Sequence, residues 1–151
     1  MNWSASQPVC WSAGLLLALT SSVIAAQQPE TRHLMPVPQS VAWVPGRVAI
    51  DSTFSVAVVG VKDARLARAV DRALRRLEGR TGITFVRETA PRDSNTATVV
   101  VRANTAGMAV QGVEEDESYT LNVVGDQARL AAPTVVGALH GLETLLQLVE
   151  A

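Results

Sequence analysis

Apolar residues recur along this chain in two rhythms. Between Asp63 and Gly79, the residues Leu66, Val70, Leu74 and Leu77 are spaced by four, four and three, with Ala67 and Ala73 beside them. That spacing keeps one helical face apolar and predicts a helix over 63–79. Asp63 is the expected N-cap, and Gly79 or Gly82 the expected stop, because glycine takes the left-handed conformation that closes a helix without steric cost. Elsewhere the rhythm is that of strands. Phe54 to Val59 is a short apolar run ended by Gly60, Ala97 to Arg102 is another, and Ile83 to Val86 a shorter one. Tyr119, Leu121 and Val123 alternate with Thr120 and Asn122; after the turn signal Gly125-Asp126, Ala128, Leu130 and Ala132 alternate in their turn. This predicts a β-hairpin over 118–132. Leu34 to Trp43, with prolines at 36 and 38, reads as an extended edge segment, since proline cannot donate to a ladder.

The last helix is patterned on two sides. Val135, Leu139, Leu142, Leu146 and Val149 repeat at four, three, four and three, and Pro133 is expected in its first turn with Thr134 as an alternative cap. Gly137, Gly141 and Leu148 lie nearly opposite, which leaves only His140, Glu143, Gln147 and Glu150 as a narrow polar strip. A helix apolar on two faces is buried on two faces. One covers the sheet; the other is covered either by the first helix or by something outside the domain. The order of elements predicts an α+β domain over 34–151, one mixed or mostly antiparallel sheet with two helices on one face.

The first 33 residues differ from the rest. No acidic or basic side chain precedes Glu30, and Gly14 to Ala26 is an apolar run ending in small residues. It is shorter than the about 20 residues a membrane span needs, so residues 1–26 are expected to be a cleavable signal peptide and 27–33 a flexible lead-in. The product is then secreted or periplasmic, with no stable membrane anchor. Cys10 leaves with the leader, and the remaining chain has no thiol for a disulfide or for nucleophilic chemistry. With 13 basic against 14 acidic residues, the chain lacks the charge to hold nucleic acid, and Arg65, Arg68, Arg72, Arg75 and Arg76 read as a solvated helix face.

Candidate chemistry is sparse. His33 and His140 are the only histidines, and His140-Gly141-Leu142-Glu143 lacks the second histidine that a zinc-binding helix needs at a spacing of four. Glu114 to Glu117 has no alternating oxygen-ligand pattern for calcium, and reads as a solvated turn. No glycine-rich phosphate loop and no Gly-x-Ser-x-Gly occur. Asp116, Glu117 and Glu143 are the carboxylates from which a glycosidase pair would be drawn, but their places on the hairpin and helix give no reason for them to converge. No metal, cofactor or catalytic residue is expected, and the residues by themselves describe a support or binding module.

An ordered set of motifs nevertheless resembles a known family. Leu34-Met35-Pro36-Val37-Pro38-Gln39-Ser40-Val41, then Asp116-Glu117-Ser118-Tyr119-Thr120-Leu121, then Ala131-Ala132-Pro133-Thr134 and Gly137 through Gly141-Leu142-Glu143-Thr144-Leu145-Leu146-Gln147-Leu148, is similar to the N-terminal domain of β-N-acetylhexosaminidases of glycoside hydrolase family 20. The resemblance implies a zincin-like fold without the zinc motif, non-catalytic, preceding a (β/α)8 barrel. It implies a parent enzyme that removes terminal N-acetylhexosamine from glycans or chitin fragments, with the substrate's acetamide as nucleophile. It carries no catalytic residue onto this chain. The chain is expected to stop before the barrel, and Gly137, Gly141 and Leu148 are the expected interdomain surface. The alternatives are a free-standing carbohydrate-binding module, which Trp43 and Tyr119 supply poorly with aromatic faces, or a structural interaction module.

Overall fold

The structure is a computed structural model that describes residues 34–44, 47–87 and 93–149. The expected leader and lead-in, residues 1–33, lie outside the described residues, as do 45–46, 88–92 and 150–151. In chain order the described residues form β1 (Val56–Gly60), α1 (Ala64–Thr81), β2 (Val99–Thr105), β3 (Thr120–Val124), β4 (Gln127–Thr134) and α2 (Val135–Gln147). The sheet is mixed, in the order β1-β2-β4-β3, with β1 and β2 parallel, β2 and β4 parallel, and β3 and β4 antiparallel. This is the expected α+β class with one sheet and two helices.

Register explains where the core sits. Val99, Val101 and Ala103 of β2 lie beside Ala128, Leu130 and Ala132 of β4, and all six are buried. They form one face of the sheet, which α1 covers with Leu66, Val70, Leu74 and Leu77 and α2 covers with Val135, Ala138, Leu142 and Leu146. Arg102 and Arg129 occupy alternate positions of the same strands and are exposed. That alternation is the signature of a sheet buried on one side.

Local chemistry sets the ends of the helices. Asp63 is extended and its carboxylate accepts from the Arg65 N–H at 2.7 Å, which caps α1. The helix runs past Gly79 to Thr81, and Gly82 at φ 70° closes it with its N–H on the Glu78 carbonyl. At α2 the cap is Thr134, whose hydroxyl accepts from the Gly137 N–H at 3.2 Å.

Three expectations are corrected. Pro133 is not in the first turn of α2 but in β4, beyond Ala131 where the pairing with β3 ends, so its missing N–H costs that ladder nothing. Ile83 to Val86 is not a strand: the Phe85 N–H is taken by the Glu78 carboxylate at 3.0 Å, and its ring is buried against Phe54. Residues 34–44 do not join the sheet edge. They run as an irregular strap with Leu34 buried and the residues that follow largely exposed.

Candidate functional site

The three motifs met separately along the chain come together on α2. The Thr134 hydroxyl that caps the helix also donates to the Asp116 carbonyl at 2.6 Å. One turn on, Gly137 lies against the backbone at Glu117 and Ser118; a Cβ there would overlap the Ser118 carbonyl oxygen. Another turn on, Gly141 lies under Leu130 and Tyr119, and a Cβ there would overlap Leu130. Tyr119 then reaches the buried Thr144, hydroxyl to hydroxyl, at 2.6 Å. At the helix end the Gln147 amide accepts from the Met35 N–H at 2.8 Å and donates to the Met35 carbonyl at 2.7 Å. A primary amide offers this donor and acceptor pair side by side, as an adjoining strand would.

These contacts place the expected interdomain residues. Gly137 and Gly141 are buried against this domain's own β3 entry and β4, so the close approach that glycine permits is used internally. Leu148 is half-buried at the helix end. The two-sided burial of α2 is met within the domain, where the helix packs against β2, β3 and β4 and against α1.

The candidate carboxylates are each engaged apart. Asp116 accepts from the Ser118 N–H at 2.9 Å, and hydrogen bonds from Ser118 hold its pKa below the ordinary value. Glu117 lies 3.5 Å from His140 Nδ1, and Glu143 pairs with Arg76 of α1 at 2.5 Å. All three are exposed, as is His140. A cavity of about 450 Å³ is lined by Asn95, Thr96, Ala97, Thr98, Val124, Asp126, Gln127 and Arg129, and contains none of them. One of its lining polar groups is already engaged: the Gln127 amide donates to the Ser94 and Ala97 carbonyls and accepts from Arg129. Tyr119, considered as a sugar platform, is half-buried with its hydroxyl on Thr144.

Two residues missed in the sequence also matter. Glu115, within the run read as a solvated turn, is buried, and both carboxylate oxygens receive the Met108 N–H, at 3.0 and 3.1 Å. Arg80, in the last turn of α1, donates to the Leu146 carbonyl at 2.6 Å, which supplies to the end of α2 the positive charge its own last turn lacks. The acidic run gave no sign of which carboxylate turns inward, and the Arg80 contact spans 66 positions.

The ion pairs of α1 set a pH dependence. A hydrogen bond from the Arg65 side chain holds Asp63 below its ordinary 3.8, and one from the Arg87 side chain holds Glu78 below its ordinary 4.5. Both carboxylates are more acidic folded than unfolded. Their contribution is therefore complete above those ordinary values and is lost as pH falls through the lowered ones. The urea midpoint should stay level from neutrality to about pH 5 and decline below it. Asp63→Asn with Glu78→Gln should lower the neutral midpoint and flatten that decline; an unchanged acid slope would assign it to other groups.

The family described as beta-acetyl hexosaminidase like matches residues 34–148. A solved chitobiase from Flavobacterium johnsoniae is 39% identical, with a TM-score of 0.70, over 78% of this chain and 18% of its own. An exo-β-N-acetylglucosaminidase from Vibrio harveyi is 20% identical, with a TM-score of 0.54, over 78% of this chain and 16% of its own, and shares the fold. The chain thus spans under a fifth of either solved relative. No curated protein matches it.

Proposed function

Since the chain belongs to the beta-acetyl hexosaminidase-like family, we propose that its domain is the non-catalytic support domain of a β-N-acetylhexosaminidase. The observation that carries this reading is the fate of the motif residues. Asp116 to Tyr119, Thr134, Gly137, Gly141, Thr144 and Gln147 are taken up in the packing of α2 against the rest of the domain. Residues engaged this way hold a shape and are not free to meet a sugar. The reaction belongs to a separate (β/α)8 domain, which would hydrolyse terminal N-acetylglucosamine or N-acetylgalactosamine with the substrate's own acetamide oxygen as nucleophile and an acidic pair as acid and orienting group. No cofactor enters that chemistry.

The test is release of 4-nitrophenol from its β-N-acetylglucosaminide. The 151-residue chain should show no turnover above buffer. A polypeptide in which residues 34–148 replace the matching segment of the Flavobacterium chitobiase should turn over. Turnover by the short chain, lost on Glu117→Gln or Glu143→Gln, would overturn the reading.

A further inference from the structure

No further inference is drawn: the strongest candidate, the cavity beside the β3–β4 turn, is lined by the exposed Asn95, Asp126 and Arg129 and carries nothing, because no unpartnered polar side chain is buried among the described residues to point to a ligand there.

Discussion

Gly137→Ala should destabilise the isolated chain by about 1–3 kcal/mol, the usual cost of forcing a methyl group into a filled site. The added Cβ would meet the Ser118 carbonyl oxygen, the Glu117 carbonyl carbon and the Ala132 methyl. Two of these are backbone atoms, which cannot rotate aside as a side-chain tip does. Relief requires α2 to lift from the residues that enter β3, and the Thr134 and Tyr119 hydrogen bonds lie on either side of the contact. The melting temperature should fall by on the order of 3–5 °C per kcal/mol for a domain of this size. An unchanged melting temperature would show that this helix face is open in the isolated chain and restore Gly137 to an outside surface.

Leu66→Ala should cost more, about 2–5 kcal/mol. Leu66 is fully buried in the first turn of α1 and belongs to the single core that joins both helices to the sheet. The loss has two parts: the transfer of the removed carbons, and the cavity left where helix and sheet cannot close over the gap. Asp63 and Arg65 pin this turn, and Arg65 also donates to the Ala106 carbonyl, so the backbone has little freedom to collapse inward. A loss from a typical total of about 5–15 kcal/mol is a large share. Chemical denaturation should show a lowered midpoint with an unchanged slope. A loss below about 1 kcal/mol would mean that the site repacks.

How much was legible differs from element to element. The stripe of α1 was readable because one face is apolar and the other carries arginines, a contrast that local spacing reports directly. The hairpin was readable because Gly125 and Asp126 interrupt two alternating runs. In α2 the spacing correctly showed burial on two sides, but not what lay there. A glycine looks the same in a sequence whether its close neighbour is the domain's own Ser118 or another domain. Strap and sheet edge were confused for a related reason: prolines are compatible with both, and the Gln147 amide that holds the Met35 backbone lies 112 positions away. Ile83 to Val86 has a strand's composition, but Glu78 takes the Phe85 N–H. As for the candidate site, its motifs were visible and their role was not, because their meaning lies in contacts between distant segments.

The strand order has a consequence for how the chain assembles. β4 sits between β2 and β3, and the parallel pairing of Val99 with Ala128 joins segments that leave the ribosome well apart. When β1, α1 and β2 have been made, they form only a two-stranded ribbon under one helix. The inner face of that ribbon and the leucines of α1 must wait for β4 and α2, which between them supply Ala128, Leu130, Val135, Leu142 and Leu146 to the core. Distant pairings of this kind make folding slow, because a long loop must close before any contact rewards it. Through that interval the unfinished chain exposes valines and leucines that the completed domain buries, the kind of surface that makes an incomplete fold prone to aggregate.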